Sequence, residues 1–382
     1  MTEAPGADRH SLRTQDFDLH GIVGVRLLDA EPQQVAMVRR QLGPLDATLP
    51  GEPDITVQFV DSATSSPVTF VGVNDCGFND DGFFVLRGAG AVGARALLPF
   101  GRIGAHPVIV CERSMPTVPH LLAIINLTAI SKGVLPLHAS AWTADGVGIL
   151  VTGWAKGGKT ESLLGSMARG AGYVGDEWVY LTEDGGMHGL PEPIRLWSWH
   201  LRQLHNVLAD RSRRERFRLA AWHHAAGVTR RASSPGVPGA AFARRGLPVV
   251  QRQAYLQIPP ADLFGAATVH LHGRLDAALL VLSQESSGYD VRPAEPGELS
   301  ARMTASLTTE RAQFLDHYHQ FCFAFPEQRN PLVDGVEMVE RDLLTKRLDR
   351  VPASTVLHPY PCDVAKLASV VDAAAREAVS HR

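Results

Sequence analysis

The chain has no run of about 18 apolar residues, so no segment reads as a membrane-spanning helix and no membrane partner is expected. It is also poor in cysteine. Cys76, Cys111, Cys322 and Cys362 are the only four in 382 residues, and none stands at paired metal-ligand spacing. That argues against a zinc-type cysteine framework or a disulfide scaffold and for reduced, cytoplasmic thiols. Neither charge dominates: 37 Lys and Arg against 40 Asp and Glu leave a net charge of −3. No basic excess marks a nucleic-acid partner. The first residues lack a basic and apolar leader, and no internal repeat is found. A cytoplasmic protein is the expectation.

What the chain does have is a glycine-rich stretch at residues 149–160, ILVTGWAKGGKT. Ile149 to Thr152 read as a short buried strand. Gly153, then Trp154, Ala155, Lys156 and Gly157, then Gly158, Lys159 and Thr160 satisfy the phosphate-loop pattern. Glycines let successive N–H groups curl inward around phosphate oxygens, and the helix that follows presents its N-terminus to the same anion. Lys159 is placed to reach the β- and γ-phosphates of ATP, and Thr160 to offer its hydroxyl to Mg²⁺. Trp154 is a candidate to flank the nucleotide and Lys156 to add positive field. Glu161 falls in the first helical turn, where a carboxylate either serves the nucleotide site or only caps the helix.

Length predicts two domains. Residues 1–120 alternate strand-like runs with turn signals, DITVQFV from Asp54, PVTFVGV from Pro67, GFFVLRG from Gly82 and PVIVCE from Pro107, and read as an α+β recognition or scaffolding domain. A β-like stretch covers Leu19 to Leu28. Residues 121–382 form the expected nucleotide-binding catalytic domain, α/β within an α+β whole. There 117–131 fit a helix, GVLPLHASAW a strand, Lys159 to Ala171 a helix ended by Gly170 and Gly172, and YVGDEWVYL a strand broken by an acidic pair. Residues 197–226 are helix-prone and carry arginines between 211 and 218, read as a solvated face. Residues 228–246 have a Gly/Pro/Ser/Arg composition that predicts a flexible loop. DLFGAATVHLHG and LDAALLVLS read as paired strands, 298–322 and 335–348 as helices, and a last amphipathic helix is capped by Asp363.

Residues 134–181, VLPLHASAWTADGVGILVTGWAKGGKTESLLGSMARGAGYVGDEWVYL, resemble the catalytic core of the HPr kinase/phosphorylase family of bacterial serine kinases. The shared features are a histidine in the strand before the loop (His138), a glutamate after it (Glu161), a small-residue turn at Arg169-Gly170 and an acidic pair (Asp176-Glu177). ARRGLPVV and DLFGAATV give a weaker second match. The chain departs from the family in its N-terminal region, at Pro248, and in lacking a late arginine-glycine-arginine loop. The resemblance implies a P-loop core similar to phosphoenolpyruvate carboxykinase, with a mixed sheet. It also implies an ATP- and Mg²⁺-dependent kinase, acting on a serine of a peptide or protein or on a small-molecule alcohol. The family often assembles, so a homo-oligomer is a further expectation. A nucleotide-binding regulator or a plain ATPase is the alternative.

Within that frame Asp176 is the candidate base for the attacking hydroxyl. Glu177 and Asp176, with Thr160, are the candidates for Mg²⁺. Adjacent strand residues face opposite sides, so both carboxylates serve one site only at a strand end or a bend, and Gly175 is the candidate for such a bend; a solvated acidic turn is the bland alternative. His138 either orients Asp176 or is a hydrogen-bonded core histidine. Arg245 is the candidate transition-state cation, with Arg244 competing. His270 and His272 are two apart in a predicted strand but lack a third metal ligand.

Overall fold

The computed structural model describes residues 14–72, 75–86, 93–197, 200, 203 and 255–381. Its first part comprises β1 (Thr14–Leu19), β2 (Val23–Leu28), α1 (Pro32–Leu42), β3 (Asp46–Ala47), β4 (Ile55–Val60), β5 (Thr69–Val71), β6 (Cys76–Asn79), β7 (Gly82–Leu86), β8 (Arg95–Leu97) and β9 (Val108–Glu112). These strands make one sheet in the order β3-β1-β2-β4-β9-β8-β7-β6-β5. The β-like stretch expected over 19–28 is the turn and second strand of an antiparallel hairpin that begins at Thr14, because His20 and Gly21 take left-handed backbone and turn the chain.

α2 (Leu121–Ser131) follows, apolar along its length and buried at Ile124, Ile125 and Leu127. It leads into the second sheet: β10 (Leu135–Ala144), β11 (Val147–Thr152), α3 (Lys159–Met167), β12 (Gly172–Gly175), β13 (Trp178–Leu181) and β14 (Gly186–Gly189). Next come β15 (Ile194–Trp197), β16 (Tyr255–Ile258), α4 (Pro260–Phe264), β17 (His272–Arg274), β18 (Ala277–Gln284) and β19 (Asp290–Pro293). The chain closes with α5 (Pro296–Glu310), α6 (Ala312–Ala324), α7 (Pro331–Leu348), β20 (Ala353–Pro359) and α8 (Val364–Ser380).

The second sheet runs β17-β14-β13-β10-β11-β18-β20-β19, with β12 also beside β10. β10 and β11 pair antiparallel, whereas β11, β18 and β20 run parallel. The sheet is mixed, as expected, and the whole is α+β. β10 is buried from Leu135 to Trp142 because it has neighbours on both edges and layers on both faces. α3 and α8 pack on one side. There Asp372 accepts from Trp142 Nε1 at 3.0 Å and Ser166 Oγ at 2.9 Å and pairs with Arg169, tying both helices to β10. The cap at Asp363 is present, accepting from Lys366 N at 2.9 Å.

Two expectations are corrected. α3 stops at Met167, not Ala171, and Gly172 opens β12. The region from Asp262 is mostly not strand: α4 and a single 3₁₀ turn precede β17, which pairs with β14, whereas β18 pairs with β11 and β20. Short apolar runs do not distinguish strand from buried helix, and tertiary neighbours decide.

The cores of the two sheets are linked. Phe314, Tyr318 and Phe321 of α6 pack with Phe83 and Phe100 of the first sheet's core. His120, at φ 56 before α2, sits among them with its Nε2 2.7 Å from His317 Nδ1. Burial first, then His317, push the His120 imidazole down to about 4. The unfolded chain takes up this proton near pH 6.5 and the folded chain refuses it until about pH 4. Stability from this group is therefore complete above about 6.5 and lost as pH falls through the interval, with a limiting slope of about 1.4 kcal/mol per pH unit. By itself this group should lower the melting temperature between pH 6.5 and 4.5. His120→Asn, which tolerates left-handed backbone, should make that fall shallower; an unchanged profile would locate the proton uptake elsewhere.

Candidate functional site

The loop between β11 and α3 is shaped by close neighbours. A Cβ on Gly153 would lie 2.6 Å from the Val281 carbonyl oxygen of β18. Gly158 has φ +113, and a Cβ there would lie 2.7 Å from His358 Nε2. That histidine ends β20 and donates to the Gly157 carbonyl at 2.7 Å. Trp154 projects outward, 54% exposed. Lys156 has φ 65, and its ammonium lies over the Trp197 ring at 5.6 Å from the centroid. Ala155 lies between them within the loop.

Lys159 is buried and donates from Nζ to the Gly153 carbonyl at 2.8 Å and to the Trp154 carbonyl at 3.3 Å. Burial lowers its pKa, opposed by Glu177 and Asp176. Thr160 Oγ1 donates toward Asp176, 3.1 Å from Oδ2. Ser140 of β10 donates to the other oxygen of the same carboxylate. Asp176 is buried, and desolvation first, then Glu177, push it up to about 6 against the hydrogen bonds from Ser140 and Thr160.

Glu177 explains how two adjacent carboxylates serve one site. The expected bend lies at Glu177 itself, φ 67, and not at Gly175. A left-handed non-glycine residue is strained backbone held by its surroundings; here Ala139 N donates to the Glu177 carbonyl at 3.2 Å. The Glu177 carboxylate meets His138 Nε2 at 3.0 Å. Burial is the largest influence and raises Glu177, but the His138 hydrogen bond and charge, with Arg195 and Lys159, together outweigh it and the net shift is downward. On the other side of the ring, Glu310 Oε1 at the end of α5 lies 3.0 Å from His138 Nδ1, close enough for an ion pair but outside hydrogen-bonding direction. Burial pulls His138 down, and the two carboxylates together raise it. The imidazole is thus clamped between Glu177 and Glu310. His138 contacts Glu177, not Asp176; its neighbour on the same face of β10, Ser140, is the residue that holds Asp176.

Glu161 turns away from this cluster. His200 Nδ1 accepts from the Trp197 backbone at 3.1 Å, so Nε2 carries the proton and donates to Glu161 Oε1 at 3.0 Å. Burial is the largest influence and raises Glu161, but its contacts with His200, with its own backbone N–H and with Lys159 together outweigh it, leaving a lowered pKa. The carboxylate is therefore paired in a side-chain contact beyond simple helix capping. Among the described residues the buried Glu192 Oε1 has no hydrogen-bond partner, and burial and then Glu177 push the group up to about 8. A neutral acid there avoids a fourth negative charge beside Asp176, Glu177 and Glu310.

Arg245, Arg244, the expected loop 228–246 and the arginines of 211–218 lie outside the described residues. His270 lies before β17 and His272 within it, their rings 6.3 Å apart. Among the described residues no three His, Cys, Asp or Glu side chains converge to hold a metal, and no helix is long and apolar enough to cross a membrane. Ser140, Glu192, His200, Glu310 and His358 were not singled out by sequence. Ser140 was accessible through the two-residue period of β10; the other four approach from distant elements. No protein-family model matches the chain, and a search of curated proteins returns no significant match.

The glycine geometry gives a direct test by stability. Gly146 also has positive φ, +81, but open space where a Cβ would stand. Gly146→Ala should cost about 1–2 kcal/mol from backbone strain alone, and Gly158→Ala about 1–3 kcal/mol more from its clash with His358. Urea unfolding of the pair measures the difference. Equal losses would mean that the His358 ring yields without cost.

Proposed function

We propose that the chain is an ATP-dependent phosphotransferase that moves the γ-phosphoryl group to a hydroxyl acceptor, a serine of a peptide or protein or a small-molecule alcohol. The observation that carries this reading is the Thr160–Asp176 contact at 3.1 Å. It places a buried carboxylate against the hydroxyl that ends a GKT loop, with Lys159 alongside and the His138–Glu177 pair on the next residue.

The donor set fits Mg²⁺ with a nucleoside triphosphate. The Thr160 hydroxyl and the Asp176 carboxylate are hard oxygen donors, and Mg²⁺ is usually held by one or two carboxylates plus substrate phosphates, not by an all-protein cage. Glu177 is the adjacent carboxylate. When bound, Mg²⁺ supplies charge neutralisation to the phosphates. Lys159 contributes a buried point charge at the base of the loop. The Gly157 to Thr160 segment and the N-terminus of α3 contribute backbone donors for phosphate oxygens.

Asp176 is the base in this reading. It takes the proton of the acceptor hydroxyl as the acceptor oxygen bonds to phosphorus and the β–γ bridging oxygen departs with ADP. Ser140 and Thr160 hold the carboxylate in place, and a fixed base near its partner lowers the entropic part of the barrier. His138 holds Glu177 and links it to Glu310 at the junction of α5 and α6. In this reading residues 298–345, together with the N-terminal domain, shape the acceptor site. Arg245 remains the candidate for the transition-state cation.

Acceptor-stimulated ADP release tests the proposal. Asp176→Asn keeps the size and removes most of the basicity, so ATP affinity at saturating Mg²⁺ should persist, with the Mg²⁺ dependence shifted to higher concentration by the lost metal ligand, while single-turnover transfer falls roughly 10²- to 10⁴-fold. Lys159→Ala should lose affinity and turnover together. Transfer at the normal rate in Asp176→Asn would remove the base from the mechanism. ADP release indifferent to every hydroxyl acceptor would instead indicate a plain ATPase.

A further inference from the structure

The glycine loop borders a cavity of about 420 Å³, within the roughly 300–1,000 Å³ range of small-molecule pockets. Lys156, Gly158 and Glu161 form the side shared with the loop, and His358, Tyr360 and Pro361 the side beyond β20. Gln203 closes one end. Its Nε2 donates to the Cys362 carbonyl at 3.2 Å and its Oε1 accepts from Val364 N at 2.9 Å, fixing that wall to the start of α8. His358 is buried and bonded to the loop, so the floor is fixed as well.

Two features of the walls are not explained by packing. The Tyr360 ring is 70% exposed at the cavity, where it contributes little to a core. The Glu161 carboxylate is oriented by His200 within the wall and offers acceptor capacity to hydroxyl donors. A flat aromatic face and a carboxylate acceptor, next to a phosphate cradle, match the ring-and-sugar half of a nucleotide. Bases stack on aromatic side chains through their π-faces whatever their identity.

We propose that this cavity seats the nucleoside half of the nucleotide whose phosphates occupy the glycine loop, with the Tyr360 ring as the platform for the base. This rests on the ATP reading of the loop, so the test separates the two. Calorimetric titrations with Mg·ATP and with Mg·tripolyphosphate, which has the phosphates and no nucleoside, are run on the full chain. The unaltered protein binds both, ATP more tightly. Tyr360→Ala weakens ATP roughly 5- to 150-fold and leaves tripolyphosphate within about twofold, whereas Tyr360→Phe keeps the stacking face and both affinities. The retained tripolyphosphate affinity also reports an intact loop. An unchanged ratio of the two affinities in Tyr360→Ala overturns the cavity assignment, as does equal binding of ATP and tripolyphosphate by the unaltered protein. Binding of neither overturns the phosphate-loop reading and this inference with it.

Discussion

The candidate site depends on one buried carboxylate having its partners in place. Asp176 is almost fully enclosed, and an unpaired ionised carboxylate in such a position is strongly unfavourable. Its hydrogen bonds come from two separate elements, Ser140 on β10 and Thr160 at the start of α3. Both approach only if the strand registers hold. Ala139 lies opposite Thr152 on one edge of β10, and Ala141 opposite Gly175 on the other. A slip of one residue would turn Ser140 and His138 to the opposite face and leave Asp176 without its strand partner.

The surrounding charges follow from the same enclosure. Three carboxylates, Asp176, Glu177 and Glu310, share the neighbourhood with the Lys159 ammonium and the His138 ring. Burial works against every charged form here, and local partners decide which survive. His138 and Glu177 shift in the complementary directions of an ion pair, whereas Glu192, whose Oε1 has no hydrogen bond among the described residues, is driven toward its neutral form. Glu310 carries the cluster outward. It ends α5, and the helix that follows places Phe314, Tyr318 and Phe321 in the core of the first sheet. The site is therefore braced to the core of the first sheet.

Much of this was legible in sequence, and the limits have physical causes. The strand, loop and helix around Lys159 follow one another locally, so glycine spacing and apolar runs suffice to find them. The acidic pair was found the same way. Its bend was assigned to Gly175 because glycine is the usual left-handed residue, yet Glu177 takes that backbone, held by the Ala139 N–H. Glu310, His200 and His358 reach the site across long sequence separations, Glu310 from the end of α5, His200 from beyond β15 and His358 from β20, which lies parallel beside β18. Nothing in local periodicity encodes those approaches. The mistaken strand over Asp262 to Thr268 shows the converse: a short apolar run carries too little pattern to choose its own structure.

The glycines of the loop carry less functional information than their motif implies. Gly153 faces the Val281 carbonyl of β18, and Gly158 faces the His358 ring at the end of β20. Each would be glycine on packing grounds alone, with no phosphate in view, because its neighbours are fixed by the parallel strands. The case for phosphate chemistry therefore rests on residues that packing does not require. Lys159 places an ammonium in a buried position at the desolvation cost that lowers its pKa. Thr160 aims a hydroxyl at a buried carboxylate when an apolar residue would fill the space more simply. Asp176 and Glu177 sit side by side, Glu177 on left-handed backbone, although their like charges repel. A fold selected for stability alone would avoid all three arrangements, and their coincidence at one helix N-terminus is what distinguishes this loop from a tight turn.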